Sequence, residues 1–133
     1  MQRRLARQQL LARLGEGYRR YPGRYKPEGR ITLRALVMLA DVGNQAGPGG
    51  LRRALQYASS RGEQSEAGFI RDLGRYVENI ICRKYGDPNY GNTRGRHEAI
   101  CEKYSLDGVD WPALADNIFR EAPEPALTAS ACP

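Results

Sequence analysis

The sequence holds no run of about 18 apolar residues, the least a membrane-crossing helix needs, so no transmembrane segment is expected. It has one histidine, His97, and three cysteines, Cys82, Cys101 and Cys132, with no C-x-x-C pair. It lacks the G-x-S-x-G of a nucleophile elbow, a phosphate-cradling Gly–Lys–Ser/Thr loop and the H-E-x-x-H of zinc proteases. GPGG (47–50) is glycine-rich, but without that lysine and a preceding strand it reads as a linker. Alternating polar and β-branched runs are also missing, which argues against a sheet-based fold. The N-terminal stretch MQRRLARQQLLARLGEG has neither the apolar core nor the cleavage site of a secretory signal. An odd number of cysteines without such a signal is expected as reduced thiols in a cytoplasmic protein. No cofactor is implied.

What is present begins with charge. The 133 residues carry a formal net charge of +6. The excess is local: residues 1–34 hold ten Arg or Lys against Glu16 and Glu28, whereas residues 35–133 hold eleven against thirteen acidic residues. A basic segment beside a near-neutral body points to a polyanionic partner, with RNA or DNA the commonest. Hydrophobic residues at 41% and charged residues at 27% fit a globular chain, and the length fits one domain. We read residues 1–121 as that domain, with the basic segment 1–34 at its start, and APEPALTASACP (122–133) as a disordered tail.

Apolar spacing predicts an all-α fold, a compact bundle of five or six helices. A first helix over 2–20 presents Leu11, Leu14, Tyr18 and Tyr21. Residues 21–30 form a loop punctuated by Pro22, Gly23, Pro27 and Gly29. Thr32 caps a second helix ending near Gly43, and GNQAGPGG (43–50) separates it from a short third. Ser65 caps the strongest helix, with the stripe Phe69, Leu73, Val77, Ile80 and Ile81, which Gly86 and Pro88 terminate. GDPNYGNTRG (86–95) reads as a polar loop and 96–104 as a fifth helix. Asp110 caps a sixth, with Val109 and Leu114 at hydrophobic-staple positions.

The chemistry-bearing stretch is YRRYPGRYKPEGR (18–30). Arginine offers a planar fork of donors to phosphate. An exposed tyrosine gives a face on which an unpaired base stacks, worth roughly 1–3 kcal/mol. Candidate backbone contacts are Arg3, Arg4, Arg7, Arg19, Arg20, Arg24, Lys26 and Arg30, with Arg94 and Arg96 in a second basic patch. Candidate stacking residues are Tyr18, Tyr21, Tyr25 and Tyr90. Such residues read phosphate rather than sequence. The plainer alternative is a solvated basic face with tyrosines packed on the core edge.

His97 lies four residues before Cys101, and with Cys82 the pair offers three zinc ligands. The plainer reading puts Cys82 and Cys101 in the core and His97 at the surface, with no metal. Glu98 and Glu102 beside His97 permit acid–base chemistry, but pairing with Arg94 and Lys103 explains them as well. A metal-dependent nuclease built from Asp41, Asp72 and Glu78 is a further alternative, although nothing in the sequence singles out those acids. Leu5, Leu10, Leu11 and Leu14 with flanking arginines also allow an amphipathic membrane-surface helix. A bundle helix with an arginine-rich exposed face accounts for the same residues, so no membrane partner is expected.

One segment resembles a known family. GLRRALQYASSRGE (50–63), preceded by the Arg/Gln-rich helix QRRLARQQLLARL, is similar to the Gly-Leu-x-x-Ala-Leu-aromatic segment in small subunits of class 1 CRISPR effector complexes, type III and, in kind, type IV. About fourteen residues carry the resemblance, and the chain after residue 86 lies outside it. It implies a basic helical bundle without catalytic residues, stacked along the belly of a ribonucleoprotein complex used in antiviral defence. It also implies Arg52, Arg53 and Arg61 as backbone contacts. The expectation is a non-catalytic subunit binding RNA or DNA backbone among other protein subunits. Its basic start and acidic end also suit head-to-tail self-association. The alternative is a protein-interaction module, a phage- or plasmid-type inhibitor or adaptor, whose basic face meets an acidic protein.

Overall fold

Arg-rich and Leu-rich residues at helical spacing begin the chain, and Gln2–Arg20 forms helix α1. A computed structural model describes residues 2–121, with side chains described for 8–86 and 90–116. The tail read over 122–133 and the side chains of Arg3, Arg4 and Arg7 lie outside the described residues. Leu11, Leu14 and Tyr21 are buried and Tyr18 packs against them, as the periodicity predicts. Two 3₁₀ turns, Gly23–Tyr25 and Pro27–Gly29, carry the chain to the short strand β1, Ile31–Thr32.

Helix α2 spans Leu33–Ser60. The Thr32 hydroxyl caps it by accepting from the Ala35 amide at 3.2 Å, which satisfies one of the orphan donors of the first turn. The separate third helix and its linker are not found. GNQAGPGG is instead a kink within α2, centred on Gly47 at φ 74° and followed by Pro48. Proline cannot supply the next helical hydrogen bond, and glycine takes the left-handed φ at no steric cost. The turn is so tight that a Cβ on Gly50 would sit 2.3 Å from the Ala46 Cβ. Apolar residues on both sides of the kink, Leu39 and Val42 before it and Leu51 and Leu55 after it, enter one core.

Helix α3, Glu66–Tyr85, starts at Ser65, whose hydroxyl accepts from the Gly68 amide at 3.2 Å. Phe69, Leu73 and Val77 are buried, whereas Ile80 and Ile81 are only partly so. Gly86 then turns the chain at φ 84° into helix α4, Asp87–Lys103. The predicted loop 86–95 is thus mostly helix. Pro88 falls in its first turn, where a missing N–H costs little. The buried face is Thr93, His97 and Ile100, an i, i+4, i+7 stripe made largely of polar residues. Strand β2, Gly108–Val109, pairs antiparallel with β1, Ile31 opposite Val109 and Thr32 opposite Gly108. Helix α5, Trp111–Glu121, follows, with Asp110 Oδ1 accepting from the Ala113 amide at 3.3 Å.

The described chain is an all-α bundle of five helices with a single two-residue strand pair. α2 is central: α1 and α3 pack on it, α4 packs on α3, and α5 returns to α1. No helix among the described residues is long and apolar enough to cross a membrane.

Candidate functional site

The most constrained polar group is His97, 3% exposed on α4. Its Nδ1 lies 2.8 Å from Glu78 Oε2 of α3, and its Nε2 lies 2.7 Å from Asp41 Oδ2 of α2. Ionised carboxylates only accept hydrogen bonds, so both ring nitrogens donate and the ring is an imidazolium. Burial opposes its charge, but the hydrogen bonds and charges of Asp41 and Glu78 outweigh that and raise its pKa above the ordinary 6.5. Burial likewise opposes ionisation of Asp41, yet hydrogen bonds from His97 and Arg96 hold its carboxyl below the usual 3.8. Arg96 Nε donates to Asp41 Oδ1 at 2.6 Å. The ring fits because Gly74 passes beneath it: a Cβ there would lie 2.8 Å from Nδ1.

This corrects the expectation of a surface histidine. Cys82, expected in the core, is exposed, and Cys101 is half-buried. Among the described residues no three His, Cys, Asp or Glu side chains are grouped to hold a metal. Asp41 and Glu78 belong to the His97 bridge. Asp72 is buried elsewhere, accepting from Gln64 Nε2 at 3.1 Å and facing Arg61 Nε at 3.5 Å. The three acids considered for a nuclease therefore serve two separate buried contacts.

Two of the four stacking candidates are core residues. Tyr21, 2% exposed, and Tyr25 pack with Phe69 at ring-centroid distances of 5.4 and 5.3 Å. The Tyr21 hydroxyl donates to Glu66 Oε2 at 2.7 Å, and Thr32 Oγ1 donates to the same oxygen at 2.9 Å. Burial, reinforced by the Glu66 carboxylate, pushes the Tyr21 hydroxyl pKa up and keeps it a donor. Tyr18 is half-buried beneath Lys26, whose Nζ lies 4.6 Å from its ring centroid. Tyr90 is partly exposed on α4.

The predicted cations divide into two groups. Arg20 pairs with Glu16 at 3.1 Å, Arg61 with Asp72, Arg94 with Glu98 at 3.6 Å and Arg96 with Asp41. Arg19, Arg24, Arg30, Arg52 and Arg53 are exposed, and none lies within ion-pair distance of a carboxylate among the described residues. Arg13 and Arg20 of α1 and Arg52 of α2 line one shallow groove beside Pro48. Residues the sequence reading missed line a cleft of ≈290 Å³ between α3 and α4, where Arg71, Arg75 and Arg94 face Glu98 and Glu102 above the His97–Glu78 contact. Their signal was the i, i+4 spacing of Arg71 and Arg75 opposite the apolar stripe of α3. A third, more open cavity of ≈440 Å³ lies where α2, α3 and α4 meet, lined by Gln45, Ile81, Tyr85, Asn92, Thr93 and Arg96.

The fold and surface define a class, a small helical bundle with a buried ionic bridge and a basic exterior. Comparison with known proteins finds no matching family model, no matching curated protein and no matching solved structure.

Proposed function

We propose that this chain is a non-catalytic subunit that holds the backbone of RNA or DNA within a larger nucleoprotein assembly. The observation that carries the reading is the set of exposed arginines without carboxylate partners, at positions 19, 24 and 30 after α1 begins to end and at 52 and 53 just beyond the α2 kink. A guanidinium that pairs with no protein anion is free to displace counterions from phosphate. The state of His97 supports a non-catalytic role, because both ring nitrogens are engaged and neither is open to accept a proton. In its most specific form the reading is a small subunit of a class 1 CRISPR effector. Arg52 and Arg53 stand exposed where that resemblance places contacts, while Arg61 is drawn toward Asp72.

Fluorescence anisotropy with labelled single-stranded RNA, single-stranded DNA and duplex DNA across a salt series tests it. The wild-type protein should lose affinity steeply with salt. Arg52→Ala with Arg53→Ala should weaken binding to every sequence alike and flatten the log–log salt slope by roughly 2, close to one unit per lost phosphate contact. Absence of binding to all three ligands at low salt would refute direct nucleic-acid contact by the chain.

A further inference from the structure

The cavity where α2, α3 and α4 meet has a composition unlike that of the arginine-bearing surface. Gln45 projects into it from α2, just before the kink, and its Oε1 is buried with no hydrogen-bond partner. Nearly all buried polar atoms in folded proteins are paired, so an amide oxygen without a donor, facing a cavity, marks a place for an incoming N–H or O–H. Tyr85, the last residue of α3, is 60% exposed at the same cavity and makes no ring contact with another aromatic residue among those described. Ile81, one turn earlier, gives an apolar wall, and Asn92 and Thr93 bring a second amide and a hydroxyl from α4. Arg96 lies at the edge with its Nε fixed on Asp41 at 2.6 Å. That bond holds the guanidinium plane while leaving its terminal amino groups without a protein partner.

We infer that this cavity takes one unpaired nucleotide of a single strand. A flat aromatic ring beside side-chain amides is the combination that recognises a base splayed from its stack: the ring supplies a stacking face and the amides meet donors and acceptors on the base edge. The arginine, pre-oriented by Asp41, receives the adjoining phosphate. A base held in a duplex presents neither its face nor its pairing edge, so the site selects single strands. The inference rests on the nucleic-acid reading above but concerns different residues. Arg52 and Arg53 supply affinity without regard to strandedness, and this cavity supplies the preference.

The test compares a single-stranded RNA and a duplex of equal length, using wild type, Tyr85→Ala, Tyr85→Phe and Gln45→Met. Tyr85 is exposed and Met nearly matches Gln in shape, so neither position threatens the fold, and circular dichroism checks this for each variant. Tyr85→Ala is expected to weaken single-strand binding roughly 5- to 150-fold, the span that stacking of one base on an aromatic ring covers. Tyr85→Phe should restore most of that loss, and Gln45→Met should weaken single-strand binding while duplex binding stays at the wild-type level. In an NMR titration with the same RNA, the Gln45 side-chain amide resonances should shift in wild type. Single-strand binding by Tyr85→Ala equal to wild type, or an equal loss for single strand and duplex, would overturn the base site and leave the backbone reading standing. Failure of the wild type to bind either ligand would overturn both.

Discussion

At the scale of single residues, His97 ties three helices together through two hydrogen bonds, and each partner has a defined cost of removal. His97→Ala leaves Asp41 and Glu78 facing each other across a buried gap. Removing one member of a buried ionic contact typically costs about 3–5 kcal/mol, and urea denaturation should show a loss in that range. Gly74→Ala should act through the same bridge, since its methyl group would occupy space 2.8 Å from Nδ1. Its loss of stability should not add to that of His97→Ala in the double variant. The bridge also sets a pH dependence. The His97 pKa is raised on folding, so its contribution is complete below the unfolded value near 6.5 and falls as pH rises through the folded value. Asp41 acts with the opposite sign: its folded pKa is lowered, and its contribution is lost as pH falls below 3.8. Stability measured against pH should therefore decline on the alkaline side from about 6.5 upward, and His97→Ala should remove that limb.

At the scale of elements, caps and kinks decide where the chain turns. Thr32→Val keeps the shape of the side chain but deletes both the cap to Ala35 and the bond to Glu66. A loss of roughly 0.5–2 kcal/mol is expected for the cap alone, read as a lower denaturation midpoint. Gly50→Ala should destabilise by about 1–3 kcal/mol, because the α2 kink leaves no room for a methyl group beside Ala46. The helices most legible in the sequence were those whose buried stripe is apolar, α1 and α3, together with the caps at Thr32, Ser65 and Asp110. Two elements misled for identifiable reasons. Gly47, Pro48 and Gly50 have the composition of a linker, but apolar residues on either side pull both halves of α2 into one core, so local propensity yields to packing. The first half of α4 hides because its buried positions are Thr93 and His97, whose polar side chains break the apolar pattern even though their i, i+4 spacing is helical. The site was legible in part for the same reason. Exposed arginines could be named from the charge distribution, whereas Tyr21 and Tyr25 look like a stacking platform until Phe69, more than forty residues away, is brought against them. The acids around His97 come from three helices, and no local spacing connects them.

At the scale of the whole molecule, the strand pair has an electrostatic effect. It lays the acidic stretch around Asp107 and Asp110 beside the basic segment, with the Leu33 amide donating to the Asp107 carbonyl at 3.1 Å and Gly108 packed against Arg30. The basic beginning and acidic end thus meet within one molecule instead of facing outward at opposite poles. This weakens the charge basis for head-to-tail stacking between copies. Sedimentation should accordingly give a monomer mass at both low and high salt, and a larger species confined to low salt would show that the charges still join copies. The same molecule separates two properties through its buried bridge. Arg96 and His97 carry two positive charges, Asp41 and Glu78 two negative ones, and the four lie in mutual contact. Their fields cancel over short distances, so the potential that an approaching polyanion meets is written by the outer arginines alone. Affinity and rigidity can consequently drift apart in evolution: arginines on α1 or beyond the α2 kink can be gained or lost to retune attraction, while the ions that lock the helices need not change.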